Sequence, residues 1–188
     1  MAARDAILDA AAAVMRDRGL ARSTTKEIAR VAGYSEALLY KHFADKQALF
    51  LAVLSERAPV IPDAGDLDPA AGVIPNLERL VTGLLRFYLH SFPIAASLMS
   101  ERNLLGPWRA GLAERGAGPH QPVQQVARHL KAEQAAGRIP TDVDPTAVAE
   151  LLAGAALQQA FFANFADDFE FAEAPEIARR LVAALRLS

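Results

Sequence analysis

Cysteine is absent from the 188 residues of this chain, and histidine occurs only four times. Without cysteine the protein can form neither disulfide bonds nor thiolate metal sites, and it has no cysteine nucleophile. The histidines are scattered along the chain without the close pairing that zinc sites require. The motifs G-x-S-x-G and H-E-x-x-H and a phosphate-cradling glycine loop are missing as well. We therefore predict that the chain is not an enzyme and holds no metal or cofactor.

A secretory leader and a long apolar run are two further features that we do not find. The first residues lead directly into a patterned helix that carries acidic side chains, and no stretch of about 18 apolar residues suggests a bilayer span. Hydrophobic residues make up 52% of the chain and charged residues 22%, which is typical of soluble globular proteins. We expect the protein to work in the cytoplasm.

The net charge of −2 argues against a protein that coats nucleic acid without specificity. The charge is nevertheless distributed unevenly. Residues 1–58 contain nine Lys and Arg against seven Asp and Glu, whereas the rest of the chain contains eleven against fifteen. This small basic excess is weak evidence by itself, because phosphate binding depends on where the charges lie.

The hydrophobic pattern has a period of 3.6 residues almost throughout, and no run alternates with period 2, so the chain is predicted to be all-α. A first helix should end at Gly19. Thr24 and Glu27 form a capping box before a short second helix, which should end at Gly33. Ser35 and Asp45 then offer N-caps for a third and a fourth helix.

A composition break lies at residues 58–75, where four prolines, two glycines and three aspartates cannot form one continuous helix. We predict a small helical module at residues 1–58, a connecting segment at 59–75 and a larger helical domain at 76–188. Further helices are predicted at about 76–90, 93–103, 122–136, 145–166 and 175–187, with a loop at 106–119.

Residues 24–43 have the features of a helix-turn-helix, namely two short helices joined by a tight glycine turn behind a buttressing helix. The second of these helices is small at its N-terminal end and rich in donors further on, so it can enter the major groove of DNA. The alternative is a helix hairpin that packs internally, but such a hairpin does not need a polar rim around a slender helix.

The segment TTKEIARVAGYSEALLYKHF at residues 24–43, followed by ADKQAL, resembles the TetR family of repressors. The resemblance is strong over residues 5–55 and otherwise covers the helical layout and a GRIPTDVDP run. It implies DNA contacts at residues that match Thr25, Ser35, Ala37, Tyr40, His42 and Lys46.

The candidate DNA-contacting residues fall into two groups by the chemistry of their side chains. Hydroxyl and cationic groups at helix ends suit phosphates, and side chains at the start of the third helix suit base edges. Glu36 is either a base-reading residue or a solvated charge, and Tyr34 either reaches a phosphate or shields the turn. The complete set of candidates is Thr25, Tyr34, Ser35, Glu36, Ala37, Tyr40, Lys41, His42 and Lys46.

The resemblance also implies a homodimer, because palindromic operators place two recognition helices about 34 Å apart. Residues 145–166 and 175–187 are the best candidates for a four-helix interface between two copies. The alternative is that their apolar stripes are intramolecular core. The interface candidates are Val148, Leu151, Leu152, Ala155, Gln159, Leu181 and Leu185.

The middle helices are expected to hold a small, largely apolar effector if the family logic applies. Aromatic side chains at helical spacing serve a core at least as often as a ligand site, so these residues are candidates only. They are Phe87, Tyr88, Phe92, Met99, Arg102, Trp108, Gln125, His129 and Phe162. Two other functions remain open, a helical ligand or lipid binder without a DNA role and a helical enzyme. Activation in place of repression is open as well.

Overall fold

The computed structural model describes residues 3–57, 61–63, 66–100, 102–114, 116, 118–166 and 171–185. Over these residues the fold is all-α, as predicted, with no strand. The helices are α1 (Ala3–Arg22), α2 (Thr25–Ala32), α3 (Glu36–His42), α4 (Lys46–Glu56), α5 (Val73–Ser100), α6 (Arg102–Glu114), α7 (Gln121–Ala135), α8 (Pro145–Ala166) and α9 (Ala174–Ala183). A single 3₁₀ turn precedes α9. The predicted end of the last helix, residues 186–187, lies outside the described residues.

The N-terminal caps of α2, α3 and α4 follow the predicted pattern, whereas α1 continues to Arg22, past its predicted end at Gly19. The side chains of Thr24, Ser35 and Asp45 each accept a hydrogen bond from the backbone N–H three residues later, at 3.2, 3.2 and 2.7 Å. Gly33 closes α2 with a left-handed φ of 77°, and Gly19 has a φ of 72° inside α1. Both glycines occupy a backbone region that other residues adopt only at a cost.

The sequence prediction was wrong in two places along α5 and α6. A break was predicted near residue 92, but α5 continues through Pro93 to residue 100. A loop was predicted at 106–119, but α6 contains Pro107 and extends to residue 114. In both cases apolar residues near the proline pack in the first core, and this packing outweighs the helix-breaking tendency. These neighbours are Ile94, Leu98, Leu104, Leu105 and Trp108.

The chain divides into two compact units, residues 1–58 with 93–117 and residues 59–92 with 118–188. In the first unit α1 packs against α2, α3 and α4. Its core contains Ile7, Leu8, Met15, Ile28, Leu39, Leu49 and Phe50. Residues 93–117 thus pack with the N-terminal helices, whereas the sequence division had placed them in the larger domain. The functional boundaries at 58 and 75 stay a prediction.

The second unit is built on close packing of α7 against α8, with α9 beside α8. Small residues on the inner side of α8 allow this approach, since Ala149, Ala153 and Ala156 are all buried. The turn before α8 is held by Gln134, whose amide donates to the carbonyls of Pro140 and Val143 at 2.8 Å each. The large side chains of this core are Leu77, Leu80, Leu84, Leu85, Val126, Leu130, Ile139, Leu152, Ile177 and Val182.

Helix α8 is long and apolar enough, by length and composition alone, to cross a membrane. The expectation that no segment passes this test was therefore wrong. A core helix of a soluble protein passes the same test. Several alanines of α8 pack in the second core, as they would in such a helix. The polar side chains of Glu150, Gln158 and Asn164 interrupt its exposed side.

Gly83 provides a test of packing within the second unit. It is buried in α5, and a Cβ atom at this position would lie 2.3 Å from Cδ of Pro62. Overpacking of this kind costs about 1–3 kcal/mol, which exceeds the gain of about 0.5–1 kcal/mol from replacing a helical glycine by alanine. We expect Gly83→Ala to lower the melting temperature in thermal unfolding.

Gly111 is the matched control, because it lies in helix α6 and a Cβ there meets no atom within 4 Å. Gly111→Ala should raise the melting temperature through helix propensity alone. Equal shifts of the same sign in the two variants would contradict the close approach of Pro62 to α5.

Candidate nucleic-acid interface

The two short helices of the helix-turn-helix are fixed to each other by the turn and to α1 by their buried side chains. In the turn, the N–H of Tyr34 donates to the carbonyl of Ala29 at 2.9 Å. Ile28 and Leu39 are completely buried in the first core, and Phe43 is buried at the end of α3. This anchoring leaves the opposite side of α3 uncovered within the first unit.

The uncovered side of α3 carries most of the predicted DNA-contacting residues. Ala37 and Lys41 are both exposed and lie four residues apart, so they share one face of the helix. Ser35 is exposed and caps α3, and its hydroxyl keeps a proton that it can donate outward. His42 is exposed, as are the rings of Tyr34 and Tyr40.

The side chains of Thr25 and Glu36, both predicted to contact DNA, are hydrogen-bonded to each other. Thr25 is only 8% exposed, and its hydroxyl donates to Oε1 of Glu36 at 2.5 Å. The hydroxyl of Tyr40 lies 3.3 Å from the same Thr25 oxygen. Glu36 therefore accepts a hydrogen bond from α2 and is half-buried in this structure.

Lys46 begins α4, where Asp45 caps the helix. Its ammonium group lies 5.1 Å from the ring centre of Phe50, close enough for a cation–π contact. The side chain is half-buried, so it is held along the apolar surface while its charge remains at the start of the helix. This position suits a contact with a phosphate.

The sequence analysis missed a set of ion pairs that joins α1 to the end of α4. Arg4 donates to both carboxylate oxygens of Glu56, at 2.7 and 2.8 Å. Arg57 donates to Asp5 at 2.9 Å and to Asp9 at 2.7 Å. These pairs raise the pKa of Arg57 through hydrogen bonds with the two aspartates. No local pattern indicates them, because the partners are about 50 positions apart.

The predicted capping box is also only half formed. Thr24 caps α2 as expected, but the carboxylate of Glu27 pairs with Nη2 of Arg18 at 2.8 Å. Glu27 thus links α2 to α1, since its charge is satisfied by a cation from the neighbouring helix.

The predicted effector residues are distributed over both units. Met99 and Trp108 belong to the first unit, where Met99 is exposed and Trp108 packs against the core. The side chain of Arg102 lies outside what the structure describes. The other six belong to the second unit: Phe87, Tyr88, Phe92, Gln125, His129 and Phe162.

Three of these second-unit residues have distinctive polar groups. Nε2 of His129 is buried without a hydrogen-bond partner, and burial lowers the pKa of this imidazole. Gln125 donates its amide to the carbonyl of Ile61 at 3.3 Å. Burial also raises the pKa of the Tyr88 hydroxyl.

The predicted interface residues divide into inner and outer positions. Leu152 is buried in the second core, so its side chain faces away from any second copy. Val148, Leu181 and Leu185 are half-buried against the same core, and Ala155 and Gln159 are half-buried as well. Leu151 is 67% exposed.

An apolar surface extends along the exposed side of α8. Beyond Leu151 it includes aromatic rings near the end of the helix, with Phe161 and Phe165 stacked at a ring-centre distance of 6.2 Å. We call this surface the outer α8 face. It consists of Leu151, Gly154, Leu157, Phe161, Phe162 and Phe165, all exposed.

Comparison with known proteins supports the same interpretation of the N-terminal part. Residues 7–53 match the family model described as bacterial regulatory proteins, tetR family. The A-factor receptor protein of Streptomyces griseus is 30% identical over 154 residues, which cover 78% of this chain and 49% of that protein. The HTH-type transcriptional regulator YvkB of Bacillus subtilis is 44% identical over 52 residues, 28% of each chain. The chain therefore spans about half the length of the first of these relatives and about a quarter of the second.

Solved structures extend the likeness to the whole chain. A Rhodococcus sp. protein assigned to the TetR-family transcriptional regulators is 25% identical, covers 99% of this chain and 98% of its own, and has a TM-score of 0.70. A TetR-family protein of Mesorhizobium loti shares the fold with a TM-score of 0.73 at 24% identity, with 97% and 94% covered. This group consists of DNA-binding transcription factors rather than enzymes. Residues 7–53 thus match the TetR family of bacterial transcriptional regulators, and the chain as a whole shares the fold of solved TetR-family proteins.

Proposed function

We propose that this protein is a cytoplasmic repressor that binds a palindromic operator as a homodimer and leaves it when a small, largely apolar effector binds. The observation that carries the proposal is the slender, uncovered side of α3 beside two helix N-termini. The remaining parts of the proposal rest on the outer α8 face and on the buried polar groups of the second unit.

The DNA-binding part follows from the size and chemistry of α3. An α-helix with small side chains is about 10 Å across, so the seven residues of α3 can lie in a major groove about 12 Å wide. Ser35 and Ala37 are small enough to let the start of the helix approach base edges, and Lys41 and His42 supply donors along it. The first turn of α2 and Lys46 would contact phosphates on either side.

The dimer part follows from the exposure of the outer α8 face. Single exposed apolar residues are ordinary, but a cluster of large ones forms an apolar patch that usually marks an interaction surface, and here the exposed Gln158 lies within it. A second copy would cover the patch through a two-fold axis, as symmetric dimers do. Gly154 has no atom near its missing side chain, so a partner helix could approach closely there. Leu152, a predicted interface residue, is left out of this proposed interface because its side chain lies in the second core.

The effector part is confined to the second unit. The rings of Phe87 and Tyr88 meet edge to face at 5.3 Å, and Nε2 of His129 has an unused hydrogen-bonding position. A largely apolar molecule with one polar group would match this combination of lining and anchor. Ligand binding would favour a conformation in which the two recognition helices no longer match the operator spacing.

The first experiment selects genomic fragments that the purified protein binds and then titrates a selected fragment at several salt concentrations. Binding that prefers the fragment to scrambled DNA and weakens as salt rises is expected. A palindrome in the fragments and increased transcription of the adjacent gene after deletion of the protein would support repression. Decreased transcription would instead indicate an activator, and no sequence preference would favour a ligand binder without a DNA role.

Lys46→Ala tests the phosphate contact at the start of α4. Loss of one cation should weaken binding to selected and scrambled DNA alike and lower the slope of log K against log salt by about one. Lys131→Ala is the control, since Lys131 is an exposed lysine of α7 in the second unit. If both variants change the slope equally, Lys46 makes no specific phosphate contact.

Phe165→Glu tests the proposed dimer. Phe165 is 83% exposed, so the change should leave the fold intact while placing a charge in the buried interface, and sedimentation should show a monomer. Ile74→Glu, at an exposed apolar position of α5 in the same unit, should remain a dimer. A dimeric Phe165→Glu protein would remove the outer α8 face from the interface.

A further inference from the structure

Three side chains form a hydrogen-bonded chain where α2 and α3 meet. Thr25 opens α2 and donates to Glu36, the first residue of α3. Tyr40 lies one turn further along α3, and its hydroxyl is 3.3 Å from Oγ1 of Thr25. Because Glu36 and Tyr40 are four residues apart, they share one face of the helix. This face is turned toward the start of α2.

The number of protons on these three side chains limits which of them can donate a hydrogen bond to DNA. An ionised carboxylate only accepts hydrogen bonds, and a hydroxyl carries a single proton. Since Thr25 gives its proton to Glu36, it can only accept from Tyr40. Thr25 therefore cannot donate to a phosphate while the bond to Glu36 exists. The hydroxyl of Tyr40 also carries a single proton, so it donates to Thr25 in the free protein and turns this proton to a phosphate when DNA binds.

We propose that Glu36 is a positioning residue for DNA binding, one that holds the Thr25 hydroxyl as an internal link and so keeps Tyr40 beside the first turn of α2. Tyr40 and the free N–H groups of that turn then meet the same phosphate. Glu36 contacts no base itself. The proposal rests on DNA binding by the helix-turn-helix and assigns a role within that site.

The arrangement of α3 supports this role over direct base contact. A base-reading carboxylate must point into the groove, but Glu36 is partly buried and directed at α2. The exposed face of α3 is instead formed by Ala37 and Lys41. A solvated charge would have no partner, whereas Glu36 accepts a hydrogen bond from a threonine that is itself buried.

Glu36→Gln and Glu36→Met separate the acceptor from the charge. Both variants remove a negative charge near the DNA backbone, but only glutamine keeps a side-chain oxygen that accepts from Thr25. On a selected genomic fragment, Glu36→Gln should bind as well as the wild type or a few-fold more tightly. Glu36→Met should bind about tenfold more weakly, the loss expected when one side chain, Tyr40, is no longer held in place before DNA binds.

Tyr40→Phe in each background shows whether Glu36 acts through Tyr40. The loss of the hydroxyl should weaken binding in the wild type and in Glu36→Gln but have little further effect in Glu36→Met. Equal affinities of the Gln and Met variants would overturn the proposal, as would an altered preference at a single operator base, which would make Glu36 a base-reading residue.

A measurement on the protein without DNA tests the bond between Thr25 and Glu36 independently of DNA binding. Thr25→Val and Glu36→Met, alone and combined, are compared by thermal unfolding. The shift of the double variant should be smaller than the sum of the single shifts, because both changes break the same bond. Additive shifts would overturn the internal link even if the protein binds DNA, whereas non-additive shifts in a protein that selects no fragment would count only against DNA binding.

Discussion

Burial of Leu39 in the first core is the contact on which the recognition helix depends. An isolated helix of seven residues is far too short to persist in water, so α3 exists only because its buried side packs on α1 and α2. The same packing decides which side of α3 remains uncovered. Caps at Ser35 and Asp45 fix where α3 and α4 begin, but caps contribute only about 1 kcal/mol each.

Charged pairs connect this packed core to the ends of α1 and α4. Arg57 bridges the end of α4 to Asp5 and Asp9 on α1, and Arg4 bridges α1 to Glu56. Exposed pairs of this kind contribute little stability individually. As a group they restrict how α4 can move relative to α1, which is the helix against which α2 and α3 are packed. A displacement of α4 would thus be transmitted to the whole DNA-binding surface.

The two prolines show where local rules were insufficient. Pro93 and Pro107 each remove one backbone hydrogen bond, and a sequence pattern alone places a break at such a residue. Here Ile94, Leu98 and Trp108 pack with the N-terminal helices, and the burial of several apolar side chains exceeds the cost of one lost bond. A sequence pattern does not contain this information, because it depends on partners that are distant in the chain.

The sequence by itself determined the all-α fold, the helix-turn-helix at residues 24–43 and the caps that start its helices, since these depend on periodicity and on contacts within three or four residues. Only the tertiary structure decided the orientation of each polar side chain. Thr25 and Glu36 are eleven positions apart, so their hydrogen bond forms only after α2 and α3 have packed. Leu151 and Leu152 are adjacent in sequence and point about 100° apart on α8, and only the packing of α8 decided that Leu151 is exposed and Leu152 lies in the core.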